Sequence, residues 1–260
     1  MNKQPDALEP SEETTMDSET QTARRARGIY LLPNLFTTAA LFSGFYAIVS
    51  AINGSFSEAA AAIFVAMVLD GLDGRVARLT NTQSAFGAEY DSLSDMVAFG
   101  VAPGLVAHQW ALSGLGKTGW VIAFVYVACA ALRLARFNTQ AGSSDKRFFI
   151  GLASPAAASV VAGAIWALND FGVEGSHFAL PMALLVMASG VLMVSNFKYR
   201  SFKDLNLKGR VPFVMILATV LVFAVIFSDP PRVLSLIFLA YAASAPVQKL
   251  IQWKRAKQIN

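Results

Sequence analysis

Eight apolar segments, each long enough to cross a lipid bilayer, dominate the sequence. A membrane-spanning helix needs about 17–25 mostly apolar residues, and every segment falls in that range. Hydrophobic residues make up 55% of the chain and charged residues only 15%, which excludes an ordinary soluble domain. We therefore predict an all-α polytopic membrane protein with spans at 31–52, 57–76, 88–112, 117–137, 151–169, 178–197, 211–228 and 232–252.

The distribution of the 21 basic residues predicts the orientation of these spans. If the N-terminus is cytoplasmic, only Lys117 and Arg232 fall on the opposite side. Lys and Arg accumulate in the cytoplasmic loops of membrane proteins. We therefore expect both termini on the cytoplasmic side.

Four aspartates interrupt the second and third apolar segments. Asp70 and Asp73 are three residues apart, while Asp91 and Asp95 continue a stripe that begins at Gly87 with a spacing of four residues. Such spacings place side chains on one face of a helix, which a solvated loop would not require. The predicted topology places all four carboxylates at the cytoplasmic ends of two neighbouring helices. Because carboxylates in a bilayer are costly and usually functional, this cluster indicates a site.

The chemistry of the cluster favours divalent cations and a phosphate ligand. Oxygen-only ligands suit Mg²⁺ or Mn²⁺, and four carboxylates suffice for two ions about 3.5–4 Å apart. Gly74, Ala77 and Gly87 keep the adjoining surface small, and Arg78 supplies a cation suited to phosphate oxygens. These features together favour a lipid-linked diphosphate as the ligand.

The pattern Asp70-x-x-Asp73-Gly74-x-x-Ala77-Arg78, eight residues, Gly87-x-x-x-Asp91-x-x-x-Asp95 resembles the signature of the CDP-alcohol phosphatidyltransferases. The resemblance implies a six-helix core, usually dimeric, that transfers a phosphatidyl group from a CDP-lipid to an alcohol and releases CMP. It implies Asp70, Asp73 and Asp91 as metal ligands and Asp95 as both a ligand of the second ion and the general base. Gly74, Ala77, Arg78 and Gly87 would line the CDP-lipid site.

A second family segment opens the first span and reads Pro33-Asn34-Leu35-Phe36-Thr37. Proline fits the first turn of a helix, and Asn34 and Thr37 are one turn apart. We expect both polar side chains near the CMP moiety. The alternative is a helix cap followed by a threonine that bonds back to its own helix.

Longer strings, among them DGLDGRVARLTNTQSAFG, EYDSLSDMVAFGVAP and LRLARFN, resemble the membrane-integral phosphatidylserine synthases within that family. This resemblance implies CDP-diacylglycerol and L-serine as substrates. The carboxylate of serine would need a cation, and Arg133 and Arg136, which share a helix face, are the candidates. The alternative is that these arginines only mark a cytoplasmic helix end. No nucleic-acid partner is expected.

Three regions follow from these observations. Residues 1–25 are rich in acidic residues and lack apolar periodicity, which predicts a disordered tail. Residues 26–200 would form the six-helix catalytic core. Residues 201–260 would comprise a basic linker and two further transmembrane helices. The expected location is the cytoplasmic membrane of a bacterium, with the active site on the cytoplasmic side.

Two other functions remain open at the level of sequence. A sister enzyme that uses glycerol 3-phosphate or inositol phosphate would share the aspartates and differ at the acceptor. A divalent-cation transporter would also place aspartates in the membrane, but it predicts polar residues through the full depth of several helices. The acidic residues here lie at one end of one helix pair, which favours the enzyme.

Overall fold

The computed structural model describes residues 12–140, 148–200 and 213–259. The described chain is helical apart from turns and one antiparallel pair of three-residue strands, in which Phe149 lies opposite Tyr199. The third helical rod is continuous but changes pitch, since a π-helical turn, Met96–Val101, joins two α-helical parts. The elements in chain order are α1 (Glu12–Ile52), α2 (Phe56–Leu79), α3 (Ala85–Asp95), the π turn, α4 (Ala102–Trp110), α5 (Lys117–Gln140), β1 (Phe148–Ile150), α6 (Ser154–Asp170), α7 (Ala179–Val194), β2 (Lys198–Arg200), α8 (Phe213–Ser228) and α9 (Pro230–Ile259).

The eight predicted spans correspond one to one with helical rods of the described chain, and the all-α fold class is confirmed. By length and composition, four stretches of the described helices suffice to cross a membrane, namely Leu32–Ile52, Lys117–Thr139, Gly175–Val194 and Pro230–Gln252. The stretch Gly175–Val194 consists of α7 and the 3₁₀ turn, Gly175–Phe178, that precedes it. Helices α2 and α3 differ from these four stretches in their charged residues, and α6 and α8 in their shorter length. The chain is thus an all-α membrane protein, and the number of eight crossings stays a prediction.

The two regions predicted to lie outside the core are described only in part. Helix α1 begins at Glu12, so residues 12–25 are helical where the sequence predicts disorder. This stretch contains Glu, Met, Gln, Ala and Arg, which favour the helix, and it continues directly into the apolar turns of α1. Residues 1–11 and the basic linker, residues 201–212, lie outside the described residues.

Small residues allow the helices to approach closely. Helices α1 and α2 pack against each other, and the alanines at positions 47 and 51 of α1 and 59, 60 and 62 of α2 are all buried. Ser43 of α1 donates a hydrogen bond to the carbonyl oxygen of Ala62 in α2 at 2.8 Å. Helix α6 lies at the centre, because its residues 154 and 156–165 are all buried. Close packing through small residues is typical of helices in membranes, where van der Waals contact drives association.

The last two helices differ in how they meet this core. Helix α9 packs along α6, and Arg232 at its start contacts both Asp229, at 2.7 Å, and Asp170 at the end of α6, at 3.3 Å. Helix α8 contacts α9, and its side chains at 214–228 are exposed except for Ile226. These exposed side chains are apolar except for Thr219 and Ser228, whose hydroxyls donate to carbonyl oxygens of the same helix. A mostly apolar surface is expected for a helix that faces lipid.

Candidate active site

A tight turn brings the two pairs of aspartates together. Helix α2 ends at Leu79, and Asn81 adopts a left-handed conformation, with φ of 53°, that reverses the chain. Asparagine tolerates this conformation better than most residues. Ser84 then caps α3, because its Oγ accepts a hydrogen bond from the backbone N–H of Gly87 at 3.0 Å. As a result, α2 and α3 both pack against α1, and Asp91 and Asp95 of α3 come close to Asp70 of α2.

Three of the four carboxylates form one compact cluster. Asp70, Asp91 and Asp95 each offer an oxygen, and these three oxygens all lie within 4.8 Å of one another. The Oδ1 atom of Asp91 is buried and has no hydrogen-bond partner among the described residues. Ionised carboxylates at such distances repel one another unless a cation lies between them. An oxygen-only set with an unsatisfied buried acceptor fits a hard divalent cation.

The fourth carboxylate, Asp73, is held by α1. Its side chain is buried, and Oδ2 accepts a hydrogen bond of 2.6 Å from the hydroxyl of Thr37. The same hydroxyl lies 3.2 Å from the carbonyl oxygen of Pro33, one turn earlier. Ser94 of α3 donates to the carbonyl oxygen of Thr37 at 3.1 Å. Thr37 therefore joins α1 to both aspartate-bearing helices.

An open cleft of about 260 Å³ lies beside the aspartates, between α1, α2 and the start of α3. It contains every residue predicted for the CDP-lipid site, together with Asp73 and Asp91. The full lining is Pro33, Asn34, Thr37, Asp73, Gly74, Ala77, Arg78, Thr82, Gln83, Ser84, Gly87, Ala88 and Asp91.

Gly74 and Gly87 line this cleft without adding a side chain to it. A Cβ atom on Gly87 would lie 3.1 Å from Ser84 Oγ and 3.5 Å from Asn34 Oδ1. A Cβ atom on Gly74 would lie 3.4 Å from a guanidinium nitrogen of Arg78. The two glycines therefore leave the polar atoms of Asn34, Arg78 and Ser84 accessible to a ligand.

Arg133 and Arg136 are placed elsewhere and do not line this cleft. Arg133 is buried, with 8% of its surface exposed, and its Nη1 donates to the carbonyl oxygen of Ile150 at 2.9 Å. Arg136 donates from Nη2 to Asn196 Oδ1 at 3.0 Å. Both arginines therefore fasten the end of α5 to the segments that flank α6 and α7. Their predicted contact with serine stays a prediction.

Five residues of the lining were not predicted, namely Pro33 as a wall of the cleft, Thr82, Gln83, Ser84 and Ala88. Thr82, Gln83 and Ser84 lie in the eight-residue gap of the aspartate pattern, and Ala88 occupies an open position of its second half. A usable signal was present at Ser84, because serine is one of the residues preferred at a helix N-cap.

Comparisons with known proteins identify the family of the chain. The family model for CDP-alcohol phosphatidyltransferases matches residues 30–202, which include α1 from its apolar part through β2. Two similar proteins are named CDP-diacylglycerol–serine O-phosphatidyltransferase. The one from Helicobacter pylori is 38% identical over 226 residues, which cover 86% of this chain and 92% of the relative. The one from Mycobacterium tuberculosis is 31% identical over 228 residues, 86% of this chain and 79% of the relative.

A third relative has a related name. The archaetidylserine synthase of Methanothermobacter thermautotrophicus is 34% identical over 170 residues, which cover 65% of this chain and 69% of the relative. The match to the family model spans most of the chain and includes every aspartate of the cluster. The protein belongs to the CDP-alcohol phosphatidyltransferase family.

Proposed function

We propose that the protein transfers the phosphatidyl group of CDP-diacylglycerol to the hydroxyl of L-serine, giving phosphatidylserine and CMP. The observation that carries the proposal is that the four aspartates lie next to a cleft that is lined by small residues and by Arg78. The choice of serine rests on the relatives, two of which are named for that acceptor.

The cleft would receive the nucleotide and diphosphate of the donor lipid. Arg78 lies in its lining, and a guanidinium is well suited to phosphate oxygens. Asn34 offers its side-chain amide, and Gly74, Ala77 and Gly87 leave room beside it. The acyl chains would extend into the bilayer. With the nucleotide in the cleft, the reacting phosphorus would lie where the cleft meets the aspartates.

The aspartates would hold two divalent cations, Mg²⁺ or Mn²⁺. Asp70, Asp73 and Asp91 would be ligands, and Asp95 would join them at the second ion. The oxygens of Asp70, Asp91 and Asp95 within 4.8 Å and the unpartnered Oδ1 of Asp91 support this assignment. Bound cations would neutralise the charge that develops on the phosphate oxygens and on the departing CMP.

Asp95 would act as the general base. Its carboxylate would accept the proton of the serine hydroxyl, and the serine oxygen would attack the lipid-side phosphorus as the bond from that phosphorus to CMP breaks. Arg133 or Arg136 would hold the carboxylate of serine. The bond from Arg133 to Ile150 uses only one of its five N–H groups, so this contact does not exhaust its donors.

We also propose the setting in which this reaction takes place. The asymmetry of basic residues supports cytoplasmic termini and a cytoplasmic site. A bacterial cytoplasmic membrane would then supply the lipid donor, and the cytoplasm would supply serine. A homodimer is expected from the family.

The acceptor is tested by CMP release from detergent-purified protein supplied with CDP-diacylglycerol and Mn²⁺. We expect release with L-serine and only background release with glycerol 3-phosphate or inositol phosphate. Release with one of the phosphorylated alcohols instead would keep the reaction type and reject serine as the acceptor.

Replacement of Arg78 by alanine tests the diphosphate site. We expect kcat/KM for CDP-diacylglycerol to fall about 10- to 100-fold, because a hydrogen bond to a charged group contributes roughly 1.5–3 kcal/mol. The matched control is Arg75→Ala, which removes the same charge from an exposed position of α2 that does not line the cleft. Equal losses in the two variants would show that only the net charge of α2 matters.

A further inference from the structure

The π turn Met96–Val101 begins at the residue after Asp95. At its end the N–H of Ala102 bonds to the carbonyl oxygen of Val97, five residues earlier. A π turn contains one residue more than an α-helical turn. Since each residue of an α-helix turns the chain by about 100°, this extra residue changes the direction in which Asp91 and Asp95 point relative to α4.

Pro103, at the start of α4, closely follows this turn and cannot donate a backbone hydrogen bond. In an α-helix the carbonyl oxygen of Phe99 would accept the N–H of residue 103, and proline has none. Instead, Tyr126 of α5 donates its hydroxyl to the oxygen of Phe99 at 3.1 Å. Tyr126 and Phe99 are both fully buried. A buried carbonyl without a partner costs roughly 1–3 kcal/mol, so the hydroxyl of Tyr126 stabilises this local geometry.

Close packing holds the π turn from two sides. A Cβ atom on Gly44 of α1 would lie only 2.6 Å from the Cα atom of Ala98. On the other side, a Cβ atom on Gly100 would lie 3.3 Å from the Cβ atom of Ala130 in α5. The backbone of the turn therefore packs directly against the backbone of α1, and its other side lies close to α5. Tyr126 donates its hydrogen bond from the α5 side.

We propose that Tyr126 is a positioning residue for the transfer reaction. Its hydroxyl satisfies the oxygen of Phe99, maintains the π turn, and so sets the rotation of Asp91 and Asp95 towards Asp70. The inference rests on the proposed function, because it assigns Tyr126 to the alignment of those carboxylates. Tyr126 does not line the cleft and acts through the helix backbone.

The protein contains a second arrangement of the same kind, which provides a matched control. Pro246 interrupts α9 and leaves the carbonyl oxygen of Ala242, four residues earlier, without its helical N–H. The buried Tyr199 of β2 donates its hydroxyl to that oxygen at 2.9 Å. Neither β2 nor α9 contributes a residue to the cleft. Replacing either tyrosine by phenylalanine thus removes a hydroxyl-to-carbonyl hydrogen bond of the same kind. The bond of Tyr126 lies near the aspartates, and the bond of Tyr199 lies away from them.

The experiment compares full-length Tyr126→Phe and Tyr199→Phe with the wild type in detergent. Hydrogen–deuterium exchange is measured on peptides that cover residues 85–101. We expect faster exchange there in Tyr126→Phe and unchanged exchange in Tyr199→Phe. Mn²⁺ affinity is measured by electron paramagnetic resonance without substrate. It should fall about tenfold in Tyr126→Phe, because removal of a group that orients metal ligands typically lowers metal affinity by about 10- to 100-fold. In Tyr199→Phe it should stay within about twofold of the wild type, since that change leaves those ligands in place.

The two readouts separate the inference from the function on which it rests. Unchanged exchange over residues 85–101 in Tyr126→Phe would overturn the positioning role, whether or not Mn²⁺ binds. The positioning role would also be overturned if both variants showed similar exchange, similar Mn²⁺ affinity and equal losses of melting temperature. Tyr126 would then contribute to stability alone. If the wild type bound no Mn²⁺ and released no CMP, the proposed function would fail, while the exchange data would still decide the role of Tyr126 in the helix.

Discussion

The Asp95→Asn variant is expected to release CMP at a rate lower than that of the wild type by about a thousandfold, within the range of 10²–10⁴ for loss of a general base. Asparagine has nearly the same shape as aspartate, but its amide is neutral and a poor proton acceptor. The change also removes the negative charge and one oxygen from the group that Asp95 forms with Asp70 and Asp91. The measurement is initial CMP release from CDP-diacylglycerol at saturating L-serine and Mn²⁺.

Asp170→Asn is the matched control for this variant. Asp170 lies at the end of α6, where it pairs with Arg232 at 3.3 Å and lies outside the cleft. The substitution removes the same charge from an exposed ion pair, which contributes little to stability, so activity should stay within about twofold of the wild type. A fully active Asp95→Asn protein would remove Asp95 from both of its proposed roles.

Removal of divalent cations is expected to reduce CMP release to the background rate, and addition of Mn²⁺ or Mg²⁺ should restore it. Charge stabilisation by metal ions contributes several kcal/mol to displacement at phosphorus, and each 1.36 kcal/mol corresponds to tenfold in rate. The loss should therefore exceed about a thousandfold. Four carboxylates without cations would also repel one another, so we expect the metal-free protein to melt at a lower temperature.

The control for chelation is the same concentration of chelator already saturated with Mg²⁺, which should leave activity unchanged. Metal content is checked by elemental analysis of the treated protein. Full activity in protein shown to be free of metal would mean that Asp70, Asp73 and Asp91 serve the reaction without cations, and the metal assignment would have to be abandoned.

Much of the fold was predictable because its signals are local. A run of apolar residues marks a membrane helix without knowledge of its neighbours, and each predicted span has a helical counterpart in the described chain. The spacing of Gly87, Asp91 and Asp95 likewise needs only the pitch of one helix, and all three lie in α3. The family resemblance, which depends on the same short pattern, is confirmed by the match over residues 30–202.

Other features were not predictable, because they depend on atoms that meet across the fold. The sequence did not show that the hydroxyl of Thr37, which lines the cleft, also bonds to Asp73, 36 residues later. Nor did it show that Arg133 donates a hydrogen bond to the carbonyl oxygen of Ile150. The change of pitch after Asp95 is also absent from any periodic pattern, since the apolar residues around it are compatible with an ordinary helix.

The amino-acid sequence alone thus specifies the helices, the aspartate stripe and the family, since these follow from hydropathy, helical pitch and residue identity along short stretches. The orientation of the carboxylates required the folded chain. It depends on a hydrogen bond from α1 to Asp73 and on the hydroxyl of Tyr126 in α5, which donates to the carbonyl oxygen of Phe99. Both are contacts between elements distant in sequence, and packing alone determines which donor reaches which acceptor.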